Sequence, residues 1–410
     1  MMLSGKVRLR KSKKADRSWV LIAPDKFKGT LSAREVADAL GVGLSPRINI
    51  KKIPLADGGE GSIEAIIAAG FDVVNLDFSF PASLSRPAQI ARKGDLFFIE
   101  AAEFCGLVNV SGDLEPMKAT TIGVGYAVRA ALDLGAQKII LGVGGTSSTD
   151  GGSGFLIGVG AKFLDQSGDA IPAGGGGLAF LDHIDFSFLD PRLESIEIIL
   201  ASDVDTPLLG PLGAAELFAP QKGATADQVK ILELGLIHYL SVLEKQTTPW
   251  GESARSFSLD SGSGSGGGLG FAALLLGAHR ISGANCILDL LKLDELLTDC
   301  ILVVTGEGCL DMQSLTGKLP VALAARARAR GIPVAAVVGR CQLNEEDSSL
   351  SGFTQVRALD QLDSRSALDK ELSVRLLVEI GSTLALPSTF IHSSLLMGML
   401  KKLANKRKVE

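Results

Sequence analysis

The chain has 410 residues, 46% hydrophobic and 21% charged, with a net charge of -5. That length exceeds one ordinary core and points to two domains, while the acidic balance excludes a basic face for nucleic acid. The apolar run 269–278 stops at His279 and Arg280, and 384–400 is broken by Pro387 and His392; neither reaches the roughly 20 residues that span a bilayer.

Five scattered cysteines, Cys105, Cys286, Cys300, Cys309 and Cys341, show no C-x-x-C spacing. A disulfide framework and a zinc site are therefore not expected, and a reducing cytoplasm fits best. Residues 1–17 read as a solvated basic arm and 386–410 as a tail that ends in a second basic run.

Apolar strand-like runs alternate with helical patterns, the mark of an α/β protein. The spacing predicts a strand over 19–23, a loop over 24–30 and a helix opened by the capping box Ser32/Glu35, with Val36, Leu40 and Leu44 inward. Strands follow over 50–55 and 73–78, with a helix between them beginning near Ser62. Further strands are expected at 96–101, 139–143 and 196–201, with helices over 124–134 and 228–244. Residues 246–261 read as a surface loop. A simple strand–helix–strand rhythm returns over 301–305, 321–330 and 334–338. This predicts a Rossmann-like parallel-sheet domain over 18–79 and 287–385, interrupted by an inserted α/β domain over 80–286.

Strand after strand ends in acids, glycines and small hydroxyls: A-P-D-K-F-K-G (23–29), L-A-D-G-G-E-G (55–61), G-V-G-G-T-S-S-T-D-G-G (142–152), A-S-D-V-D-T-P (201–207) and T-G-E-G-C-L-D (305–311). In open α/β sheets ligands bind beyond the carboxyl ends of strands, where glycines let backbone N–H groups approach phosphates. One such cluster is as well explained by turn chemistry; five make that explanation poor for the set.

The run 262–268, including Gly264 and Gly266, formally contains G-x-G-x-x-G, yet no obvious strand precedes it. A phosphate-cradling loop before a buried helix is the preferred reading, against a flexible linker and a dinucleotide fingerprint. No Walker A motif is present. Lys26, Lys28, Lys222 and Lys318 each read as a carboxylate or phosphate partner or as a solvated lysine. His238 and His279 form no constellation, and no G-x-S-x-G elbow occurs.

Together with A-P-Q-K-G-A (219–224) and the continuation M-Q-S-L-T-G-K (312–318), these motifs resemble, in order, the bacterial glycerate kinase family of the glycerate 2-kinase type. The resemblance runs from about Val20 to about Gly339. It implies transfer of the ATP γ-phosphoryl to D-glycerate, giving 2-phosphoglycerate and ADP, with Mg²⁺. Carried over motif by motif, it implies catalytic roles for Asp203, Asp57 and Lys28. Asp25, Lys26, Glu60, Thr146, Ser147, Asp150, Glu307, Gln313 and Lys318 fall at substrate or nucleotide positions and Asp205 and Asp311 at the metal, while Gly264 and Gly266 join the nucleotide set from the reading of the glycine run as a phosphate-cradling loop. The partners implied are small molecules, with neither nucleic acid nor membrane; a homo-oligomer is allowed. Thr149 and Thr206 stand where the family usually has Asn, Cys309 where it has Arg, and Tyr126 where it has Glu. The alternatives are a weakened relative retained for ligand binding or regulation, and a kinase for a related hydroxy acid.

Overall fold

Strands buried on both faces need continuous apolar sequence, because a parallel sheet is covered by helices on each side. Trp19–Pro24, W-V-L-I-A-P, has that character and forms the first strand, buried from Val20 onward. The computed structural model describes residues 18–56, 58–77, 87–107, 113–246, 249–344, 347 and 351–387. In chain order the early strands are β1 (Trp19–Pro24), β2 (Asn49–Lys52), β3 (Asp72–Asn75), β4 (Gln89–Lys93), β5 (Leu96–Glu100), β6 (Lys138–Gly142), β7 (Lys162–Leu164) and β8 (His183–Asp185). The later ones are β9 (Glu197–Ala201), β10 (His279–Ile281), β11 (Cys300–Gly306), β12 (Cys309–Leu310), β13 (Val334–Val338), β14 (Arg340–Cys341) and β15 (Gln355–Ala358).

The chain divides into two units, and the second interrupts the first in sequence. The first takes the chain through Pro54, then Leu293–Thr316, then Pro320 onward. Its sheet has the order β15-β13-β11-β1-β2, with every pairing parallel. Helix Ala33–Leu44 leads from β1 to β2, and helix Leu319–Arg328 lies between β11 and β13. The two connections thus run to opposite edges of the sheet, which makes the boundary between β1 and β11 a topological switch point. The capping box forms as the sequence predicts: the Ser32 side chain accepts from the Glu35 N–H, and Glu35 reaches back to the Ser32 N–H. Helix Ala33–Leu44 packs so tightly on helix Lys370–Thr383 that a Cβ at Gly43 would lie 2.2 Å from the Val378 carbonyl oxygen.

The second unit spans Leu55–Lys292 with Gly317–Leu319. Its sheet, β10-β9-β6-β5-β4-β3, is parallel from β10 to β5 and antiparallel from β5 to β3. The core gathers Phe97, Phe104, Phe155, Phe271 and Tyr239, with Phe271 edge-on to the Tyr239 ring at 5.8 Å between centroids.

Three sequence expectations differ from the structure. The first two are the boundaries: 55–77, expected with the first unit, belongs to the second, and so does 287–292. The reason is pairing, since β3 joins β4 antiparallel at the edge of the second sheet. The third is the surface loop over 246–261, which contains helix Pro249–Leu259. Among the described residues no helix is long and apolar enough to cross a membrane.

Candidate active site

In the first unit the register Pro24↔Gly306 brings the ends of β1 and β11 together at the switch point. Ligands of open α/β sheets bind at such a point. Asp25 follows β1 directly; its N–H donates to the Gly306 carbonyl at 2.8 Å, and its Oδ1 accepts from the Lys26 N–H at 2.7 Å. Glu307, largely buried, follows β11. The two turns touch, since a Cβ on Gly308 would lie 3.1 Å from the Lys28 nitrogen. Lys26 is half-buried and Lys28 exposed. Beyond them Asp311 folds back on its own turn: Oδ1 accepts from the N–H groups of Gln313 at 2.8 Å and Ser314 at 3.1 Å. Gln313 itself is exposed.

In the second unit the register aligns Glu100, Gly142 and Ala201 at the carboxyl ends of β5, β6 and β9. The turn carrying Gly58 (φ +86°) lies across these ends, with its Cβ position 3.6 Å from the Ala201 carbonyl oxygen. Glu100 anchors the turn, accepting from the N–H groups of Gly61 at 3.1 Å and Ile63 at 3.0 Å. Glu60 lies on it, half-buried, while Asp57, the residue before Gly58, lies outside the described residues. Asp203 is fixed beside them: Oδ1 accepts from the Ser282 hydroxyl at 2.7 Å and Oδ2 from the Ala284 N–H at 2.8 Å. Lys318 is half-buried, in the short stretch Gly317–Leu319 that groups with this unit.

The loop after β6 carries several of the candidate residues, and the structure gives them a different position from the expected one. Asp150 is fully buried, and its carboxylate accepts four hydrogen bonds: from the Thr121 N–H (2.8 Å) and hydroxyl (2.9 Å), from Gly152 N–H (3.0 Å) and from Gly154 N–H (3.2 Å). Burial pushes its carboxyl above the ordinary value, against the pull of those donors. Thr146 and Ser147 are buried too, and Ser147 donates through both its N–H and its hydroxyl to the Cys105 carbonyl. These side chains build the loop from beneath. Thr149 is also fully buried, its hydroxyl oxygen without a hydrogen-bond partner among the described residues.

The glycine-rich run 262–268 interlocks with this loop. Gly266, Gly267 and Gly268 take successive left-handed conformations (φ +60°, +70° and +96°), and a Cβ on Gly267 would lie 2.0 Å from the Ser148 carbonyl oxygen. The Gly151 N–H donates to the Gly267 carbonyl at 3.0 Å. At Gly264 a Cβ would meet the Pro207 carbonyl oxygen at 2.2 Å. The run serves close packing of backbone on backbone, which accounts for its glycines without a phosphate.

Mg²⁺ takes oxygen ligands in near-octahedral order. Asp205 commits Oδ1 to the Ser261 hydroxyl (2.5 Å) and the Arg280 guanidinium (2.8 Å), while Asp311 commits Oδ1 to its own turn. Among the described residues no group of three or more His, Cys, Asp or Glu side chains is arranged to hold a metal. Each of the two acids assigned to Mg²⁺ thus has one oxygen engaged within the protein.

Sequence reasoning did not reach Glu100, Ser282 and Arg280. Glu100 carried the same signal as the others, an acid at a strand's carboxyl end; Arg280 lies within, and Ser282 just after, a three-residue strand too short to show a period.

Residues 20–375 match the sequence profile described as the glycerate kinase family. The chain belongs to the glycerate kinase family. It is 38% identical to "Glycerate kinase" of Bacillus subtilis (strain 168), over 78% of this chain and 84% of that one. It is 37% identical to "Glycerate 2-kinase" of Escherichia coli (strain K12), over 83% and 92%. A crystal structure from Salmonella typhimurium LT2, provisionally designated glycerate kinase 2, aligns with a TM-score of 0.68 at 33% identity, over 88% of this chain and 97% of that chain. Thr149 and Thr206 are buried, and Cys309 sits half-buried on β12, in register with Arg340 on β14.

Proposed function

We propose that this member of the family transfers the γ-phosphoryl group of ATP to D-glycerate, giving 2-phosphoglycerate and ADP. The observation that carries the reading is the 37% identity to the Escherichia coli glycerate 2-kinase over 92% of that chain, together with the acids of this chain that follow its strand ends. Phosphoryl transfer asks a protein chiefly for alignment and charge neutralisation, with a base near the attacking hydroxyl. In this reading Asp25, Lys26 and Glu307 serve the nucleotide, Lys28 takes a catalytic role, and Gln313 and Lys318 each serve substrate or nucleotide binding. Glu60 and Asp203 serve the acceptor, and Asp203 or Asp57 takes the hydroxyl proton. Support for Asp203 comes from the two hydrogen bonds that fix both of its oxygens. Mg²⁺ enters on the nucleotide's phosphates, a mode in which few protein ligands are needed. The protein acts in the cytoplasm on small molecules.

The test is a coupled ADP-release assay with D-glycerate, with the product's phosphate position read by ³¹P NMR. A 3-phosphoglycerate signal would refute the proposed acceptor hydroxyl. Binding of ATP and glycerate without turnover would replace the reading with the regulatory alternative, and a panel of related hydroxy acids tests the other. A general base contributes about 10²–10⁴-fold. Losses under about tenfold in both Asp203→Asn and Asp57→Asn would remove the base role from both.

A further inference from the structure

Lys222 ends the short 3₁₀ turn Pro220–Lys222 and is followed by Gly223 in the left-handed region (φ +88°). Its side chain enters the protein beneath the loop after β6, leaving the residue 4% exposed. There Nζ donates to the Ser148 carbonyl at 2.5 Å and to the Thr146 hydroxyl at 3.3 Å. Both acceptors are neutral. The titratable groups that face it are the Cys105 thiol and the Asp150 carboxylate. The thiol is pushed up to about 12 by burial and stays neutral, and the carboxylate is already engaged by Thr121, Gly152 and Gly154. The other end of the same loop reaches the acidic edge: a Cβ on Gly144 would lie 2.9 Å from the Gly59 Cα, beside Glu60.

A lysine whose hydrogen bonds go only to neutral oxygens is a poor stabiliser of a fold, because its ammonium loses water and the facing charge, here Asp150, does not bond to it. Its position has a use if anionic groups bind on the loop's other side, where a fixed positive charge in a low-dielectric setting acts strongly. We propose that Lys222 is a positioning residue of the transfer site, its buried ammonium holding positive charge beneath the 144–150 loop so that the anionic acceptor is bound and aligned against an otherwise acidic strand edge. The inference rests on the reading of that edge as the acceptor site. Burial lowers the Lys222 ammonium to about 8, so the charge is present at neutral pH and lost above it.

The experiment measures kcat/KM for D-glycerate against pH, at saturating MgATP, for the wild type, Lys222→Met and Lys222→Arg, with thermal unfolding of each. The wild type declines above about pH 8. Lys222→Met loses about 10²-fold at neutral pH, as expected for a misaligned reactant, shows no such decline, and melts no lower than the wild type. Lys222→Arg, which keeps its charge, carries its activity past pH 8. A Lys222→Met protein that melts lower yet keeps activity within about twofold of the wild type overturns the proposal and leaves Lys222 a structural clamp. If Lys222→Met does not fold, the proposal falls on the same ground. A wild type without a decline near pH 8 overturns it without any variant. A wild type inactive on glycerate removes the kinase reading and this inference together, whereas an active wild type indifferent to Lys222→Met removes the inference alone.

Discussion

Replacing Asp150 by Ala separates a structural role from a ligand-binding one. The carboxylate accepts from three buried backbone N–H groups, those of Thr121, Gly152 and Gly154, and from the Thr121 hydroxyl. Removing the acceptor leaves those donors in a site closed to water. Each unsatisfied buried donor carries a penalty of about 1–3 kcal/mol. The hydroxyl can rotate toward another partner, and the backbone groups share one acceptor, so simple addition overstates the loss. A total of about 3–5 kcal/mol is the working figure, in line with breaking a buried charged network. For a unit of this size that corresponds to a fall in Tm of about 6–20 °C. Differential scanning calorimetry measures it, with Asp150→Asn as a milder companion that keeps one acceptor oxygen. If Asp150→Ala melts within about 2 °C of the wild type yet loses activity, the buried-anchor reasoning is wrong and Asp150 works on ligand.

Gly267→Ala places a methyl group 2.0 Å from the Ser148 carbonyl oxygen at φ +70°, and strain plus overpacking predict a loss of about 2–5 kcal/mol in denaturant unfolding; a neutral result would show that the two loops do not interlock. Ser32→Ala removes a capping box and is expected to lose about 1 kcal/mol. Glu35 is held below its ordinary pKa by Lys370 and then by Ser32. A carboxylate lowered in this way stabilises the fold above its unfolded pKa and ceases to as pH falls through the folded one, so the Ser32→Ala difference should shrink in acid. At Lys222 the sign is reversed: the folded state prefers the neutral amine, with the pKa down from 10.5 to about 8. Below pH 8 the buried ammonium therefore weakens the fold, by about 3 kcal/mol, and this penalty fades as pH rises toward the unfolded value. Unfolding free energies of wild type and Lys222→Met between about pH 7 and 9 should converge with rising pH; parallel curves would refute the linkage.

Much of this fold was legible because its local signals agreed. The β1 run, the Ser32/Glu35 box and the strands near 301–305 and 334–338 combine apolar continuity with clear punctuation. Misreadings occurred where tertiary pairing decides. The edge strand Asp72–Asn75 is largely exposed and carries little information about which sheet it joins; its partner β4 settles that. Helix Pro249–Leu259 contains Pro, Gly and three serines, a composition that reads as loop until its contact with helix Ala226–Glu244 is known.

The sequence groups the candidate residues as a set but does not separate their environments, for a physical reason. An acid among glycines marks a tight turn whose N–H groups converge, and convergent N–H groups can hold a protein carboxylate as readily as a ligand's phosphate. What distinguishes the two is where the donors go and how much water remains. Asp150 takes four donors and is fully buried, so its turn is closed by its own side chain. Asp203 accepts from Ser282 and Ala284 at the start of the neighbouring helix and keeps part of its surface open. The motifs therefore hold a fully buried carboxylate and a partly open one in the same chemical dress. Lys222 follows the same logic from the other side: a lysine in P-Q-K-G reads as solvated or ligand-facing, yet it lies under the loop, bonded to the Ser148 carbonyl and the Thr146 hydroxyl.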